Sequence, residues 1–257
     1  MIRRYTIHNK HRIMIPLRKN NNFVSGSYDN NRREFIRNGI MLGTVTGIAG
    51  LSLIAGCKEE NSEDISPAED LMREHGVLDR IMLIYETCKL HLLNGEKFPY
   101  DILPNSASVV KGFIEEYHEK LEEDFLFPRF EKANRLTDLI RVLRDQHATG
   151  RKITGQIINS GEVSAQADPE ANQKLIRLID EFNRMYRPHK AREDTVLFPE
   201  LRKIIPAQEY FALGEDFEKK EHELFGEDGF EAMVVKVEGI EKQLEIYELS
   251  KFTPDII

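Results

Sequence analysis

Four histidines and two glutamates recur at matched intervals along this chain, and both residue types can hold metal ions or move protons. His118 and Glu122 stand four residues apart and are followed by Leu126-Phe127-Pro128. His189 and Glu193 have the same spacing and are followed, at identical offsets, by Leu197-Phe198-Pro199. A histidine precedes each pair, His75 in Glu74-His75 and His147 in Gln146-His147. The gap from His75 to His118 is 43 residues and that from His147 to His189 is 42. A unit of His, then His-x-x-x-Glu, then Leu-Phe-Pro is thus present twice, as in a duplicated helical hairpin.

On a helix, positions i and i+4 lie on one face, separated by a rise of about 6 Å. Two such helices, with one inward histidine from each of two others, would bring four imidazoles and two carboxylates into a bundle core. That donor set suits iron, manganese or zinc, and its carboxylates can bridge two cations. Burying two carboxylates without a cation would be costly. Histidines outside the repeat (His8, His11, His91 and His222) read as surface or satisfied residues. Glu123, Asp124, Lys190 and Asp194 read as the solvated side of the same helices, since a lone charged pair at this spacing is usually wet.

The elements that must position these residues are helical. Ser66-Pro67 supplies a cap and a first-turn proline, apolar residues then recur through Leu71, Val77, Ile81 and Ile84, and Asn94-Gly95 ends the helix. A second helix is expected from about Asn105, with Val109, Phe113, Ile114 and Tyr117. A third is expected over about 134–159 and a fourth from Asp168-Pro169. Pro199 is expected to break its helix. No period-2 strand is apparent. The fold class is all-α, an antiparallel four-helix bundle over 66–204 with additional C-terminal helices over 205–257. Pro206 and Gly226 would bound one of those helices, and another is expected at about 229–247.

Charge separates the front of the chain from its body. Residues 1–56 hold nine Lys/Arg and two acidic residues, whereas 58–257 hold 27 and 42. An acidic body argues against nucleic acid as a partner. Two cysteines, Cys57 and Cys88, do not make a disulfide scaffold, and Cys88 reads as a small buried apolar residue. Residues 30–57 combine Arg32-Arg33, an uncharged Gly/Ala/Ile/Leu stretch from Gly39 to Gly56, and Cys57. They suit a cleaved export signal better than a membrane span, which wants about 20 apolar residues. The segment resembles a twin-arginine signal, and Ile54-Ala55-Gly56-Cys57 resembles a lipobox. The resemblance implies cleavage before Cys57, a lipid on that cysteine, and residues 58–65 as an acidic tether. The localisation implied is the bacterial cell envelope, with the membrane as a partner through the lipid.

EHGVLDRI, HEKLEEDFLFP, QHATGR and HKAREDTVLFP together resemble the hemerythrin-like, or HHE cation-binding, family over 66–204. That resemblance implies a non-heme di-iron centre, with His75, His118, Glu122, His147, His189 and Glu193 as metal ligands. Oxygen carriers of the family have a fifth histidine one turn after the third-helix histidine, where this chain has Arg151. Glu119 then has two readings, a replacement ligand or a solvent-facing acid. The expected function is binding of dioxygen or a related small oxidant at iron, with manganese or zinc as other metals. Alternatives are an enzyme reducing peroxide or nitric oxide, a metal-binding module without gas chemistry, and a metal-free helical scaffold. No nucleophile triad, phosphate loop or dinucleotide fingerprint supports another enzymatic class.

Overall fold

The computed structural model describes residues 65–99, 101–162 and 168–254. The twin-arginine stretch, Cys57 and the tether up to residue 64 lie outside the described residues. Among the described residues there is no strand, and no helix is long and apolar enough to cross a membrane.

Helix α1 (Pro67–Asn94) opens on the expected cap. Ser66 Oγ accepts from the Glu69 N–H and the Glu69 carboxylate accepts from the Ser66 N–H, which satisfies two donors a helix start leaves free. Gly95 closes it at φ 69°, in the left-handed region that favours glycine. The second helical run begins at Ile102, three residues before the expected Asn105. It consists of α2 (Ile102–Val109), a π segment (Val110–His118), α3 (Glu119–Leu121), a second π segment (Glu122–Leu126) and α4 (Phe127–Lys132). Then come α5 (Thr137–Glu162) and α6 (Pro169–Arg192), the latter capped by Asp168. A π segment (Glu193–Leu197) joins α6 to α7 (Phe198–Ile204).

The prolines do not break these helices. Phe127 N–H bonds to the Glu122 carbonyl and Phe198 N–H to the Glu193 carbonyl, each five residues back. A widened turn just ahead of a proline relieves the clash its ring makes with the carbonyl four residues before it. The chain therefore passes through both Leu-Phe-Pro sites as helix, with one extra residue taken up at each Glu-to-Leu turn.

The four runs close a ring of neighbours: α1 against α6, α6 against α5, α5 against α2, and the first π segment against α1. Inside lie Leu71, Ile81, Tyr85, Phe113, Ile157, Ile179 and Phe182, all essentially without solvent exposure. Helices α8 (Ala207–Phe225) and α9 (Gly229–Gln243) follow, near the expected positions. Pro206 precedes α8 and Gly226 ends it at φ 84°. Both helices pack on α1. Phe225 and Phe230 reach Phe113, and Arg80 of α1 grips Glu241 of α9 with Nε–Oε1 at 3.0 Å.

Candidate metal centre

All six residues of the repeat meet in the bundle core, none more than 4% exposed. His75 comes from α1, His118 and Glu122 from the second run, His147 from α5, and His189 and Glu193 from the fourth run. The imidazoles form two pairs. His75 and His118 face each other Nε2 to Nε2 at 3.1 Å, and His147 and His189 do so at 3.2 Å. The carboxylates lie between the pairs. Glu193 is 3.4 Å from His75 Nε2 and 3.0 Å from His189 Nε2. Glu122 is 3.9 Å from His118 Nε2 and 3.4 Å from His147 Nε2. Two potential metal-holding groups result, His75-His118-Glu122 and Glu122-His147-His189-Glu193, with Glu122 common to both.

Every outward ring nitrogen has an acceptor. His118 Nδ1 lies 2.6 Å from Glu74 Oε2, His75 Nδ1 2.7 Å from Asp194, His147 Nδ1 3.1 Å from Glu123 and His189 Nδ1 2.9 Å from Gln146 Oε1. When the carboxylates are ionised and the imidazoles neutral, as metal binding requires, these carboxylates and the Gln146 amide oxygen can only accept, so Nδ1 carries the proton and Nε2 turns a lone pair inward. The core thus gathers four lone pairs, while neither oxygen of Glu122 or Glu193 has a hydrogen-bond partner. Acceptors facing acceptors at about 3 Å, cut off from water, repel one another unless a cation lies between them. The donor set fits a metal centre. The ring of Phe198 stacks on His75 at 5.6 Å and that of Phe127 on His147 at 5.6 Å, so each Leu-Phe-Pro phenylalanine walls the far hairpin's histidine.

Without a cation the site frustrates its own charges. Burial and the neighbouring His75 press His118 well below the ordinary imidazole range. Burial likewise lowers His147 to about 4, despite its bond to Glu123. Burial would lower His75 too, but the bond to Asp194 and the nearby Glu193 carboxylate outweigh it and hold the ring near 9. Burial, with Glu193 beside it, pushes Glu122 far up, whereas His189 and His75 outweigh burial at Glu193 and keep it ionised.

Glu123 and Asp194 are not the solvent-side charges expected from spacing. Both fix a histidine of the other hairpin, whereas Glu74 and Gln146, the residues before His75 and His147, fix His118 and His189 within their own hairpins. The signal was in the repeat, because an acid follows each core glutamate and a polar acceptor precedes each first histidine. It stayed hidden because helix phase alone places those neighbours on a wetter face. Lys190 is half-buried and pairs with the exposed Asp79 at 2.7 Å, and of the four residues expected on the solvated side only Asp124 lies exposed.

Glu119 is buried, but it stands beside the six rather than among them. Its Oε1 accepts from the Tyr186 hydroxyl at 2.7 Å, and its Oε2 lies 2.8 Å from Arg151. The same guanidinium reaches Glu123 at 2.8 Å. Glu119, Glu123 and His147 form a third cluster with metal-ligand spacing, against which Arg151 lays its charge. Of the other histidines, His91 pairs with Glu96 and His222 is exposed on α8; His8 and His11 lie outside the described residues.

The model of the Hemerythrin HHE cation binding domain family matches residues 66–201. Uncharacterized proteins of Mycobacterium bovis and of two Mycobacterium tuberculosis strains are each 45% identical over 195 residues, 76% of this chain and 76% of theirs. No solved structure matches.

Proposed function

Because the chain belongs to the hemerythrin HHE cation-binding family, we propose that its bundle holds a di-iron centre that binds dioxygen or a related small oxidant. The observation that carries this reading is the set of four partnerless oxygens of Glu122 and Glu193, fully buried among four inward Nε2 atoms. His75 and His118 would hold one ion and His147 and His189 the other, with Glu122 and Glu193 bridging. Two irons there would supply electrons and a coordination position for the oxidant. Meanwhile Glu74, Asp194, Glu123 and Gln146 fix each ring's tautomer and direction, and Phe127 and Phe198 keep water off the rings.

Arg151, standing where oxygen carriers have a fifth histidine, favours a second reading in which peroxide or nitric oxide is reduced at the same centre. Iron content and absorption spectra of iron-loaded protein separate the readings. Two irons per chain, with an oxo-bridge band that changes on oxygenation and returns under vacuum, support oxygen binding. Irreversible oxidation with peroxide turnover supports the second. Less than one metal per chain in wild type and His189→Ala alike overturns both.

The envelope placement rests on Arg32-Arg33-x-Phe35-Ile36 and Ile54-Ala55-Gly56-Cys57. Processing before a lipid-bearing Cys57 would put the bundle on a membrane surface. Lipid labelling that persists in Cys57→Ser would refute it.

A further inference from the structure

The duplicated halves agree at the inner residues but differ just behind them. Each histidine pair has a ring nitrogen within 4 Å of each glutamate, although the closer-knit group around His147 and His189 includes both carboxylates. The outer partners differ in charge. His75 is backed by Asp194 and His118 by Glu74, both carboxylates. His147 is backed by Glu123, a carboxylate whose charge is already shared with Arg151 and with Lys120 at 2.6 Å. His189 is backed by Gln146, a neutral amide. Gln146 occupies in the second hairpin the place Glu74 has in the first, so a neutral amide stands where the repeat would put a carboxylate.

An imidazole donating its proton to a carboxylate is a stronger base, and a better metal ligand, than one donating to an amide. We propose that Gln146 makes the two metal positions inequivalent: the ion held by His147 and His189 binds more weakly than the ion held by His75 and His118, and leaves first. Gln146 acts through His189 and is a positioning residue. The inference rests on the two-metal reading above. It names the labile position as the one beside Tyr186 and Arg151, where the two halves also differ in their surroundings.

Calorimetric titration of metal-stripped full-length protein with cobalt(II), followed in parallel by the cobalt absorption bands, tests it. Wild type is expected to bind two ions in steps separated by about tenfold or more, the size of effect that outer partners have on metal affinity. Gln146→Glu should tighten the weaker step about tenfold and leave the tighter step unchanged. Glu74→Gln should weaken the tighter step, so that the two merge. Circular dichroism of each metal-free variant establishes that it is folded, and a merely structural role for Gln146 would move both steps together. Two equal steps in wild type, or a Gln146→Glu change that moves both steps or neither, would overturn the inference while leaving the metal centre standing. Absence of cobalt binding in wild type would overturn both.

Discussion

Tyr186 shows how one missing methyl group can set a site's edge. Its hydroxyl reaches Glu119 only because residue 150 of the facing helix is glycine; a Cβ there would lie 1.9 Å from the Tyr186 oxygen. Gly150→Ala should therefore destabilise the bundle by about 1–3 kcal/mol in denaturant unfolding, overpacking outweighing alanine's better helix propensity. A change within about 0.5 kcal/mol would mean that Tyr186 moves aside freely. Asp70 is another residue under tension. Burial, and then the nearby Glu74, raise its carboxyl to about 7 from an ordinary 3.8. The folded state thus holds that proton more tightly than the unfolded chain does. The associated stability is complete below pH 3.8 and is lost as pH rises through about 7. Asp70→Asn, which removes the charge, should raise the melting temperature at pH 8 and do little at pH 4. An equal loss at both values would instead assign the effect to its contact with Arg73.

At the scale of elements, the π turns explain why the sequence pattern looked plainer than the structure. The apolar periodicity located every run, but it could not register one extra residue inside a turn, because 3.6-residue phase is read over many residues. The Leu-Phe-Pro signature was legible as a helix stop, which is what proline usually means; only the five-residue hydrogen bonds to Glu122 and Glu193 show otherwise. The C-terminal helices were legible from Pro206 and Gly226, whereas what fastens them was not. Arg80, partly exposed, holds Glu241, which is almost wholly buried. Arg80→Ala should cost about 1–3 kcal/mol by stranding that carboxylate. Arg80→Ala/Glu241→Ala should recover part of the loss. If the double variant is no better than the single one, α9 is held by its other contacts with α1 and α2, among them Arg73 against Phe230, and not by the Arg80–Glu241 pair.

For the whole molecule, the same polar core that fits a cation is a liability without one. Protein loaded with iron or cobalt should unfold at higher temperature than chelator-treated protein, since a ligand that binds only the folded state adds about 4 kcal/mol at a thousandfold excess over Kd. Identical melting curves would show that the core tolerates its facing acceptors unaided. Most helix content should survive stripping, because Leu71, Ile81, Phe113, Phe182 and the other buried apolar side chains hold the four runs together on either side of the site.

The sequence by itself determined the helical class, the duplicated hairpin and the six residues that share the core, because those depend on spacing along a helix and on equal offsets repeated twice. It could not determine which neighbour stands behind which histidine. Glu74 to His118, Asp194 to His75, Glu123 to His147 and Gln146 to His189 each join residues from different helices. Those pairings depend on how the runs are rotated against one another, on two turns widened by a residue, and on a glycine that lets a tyrosine through. Only the folded bundle fixes them.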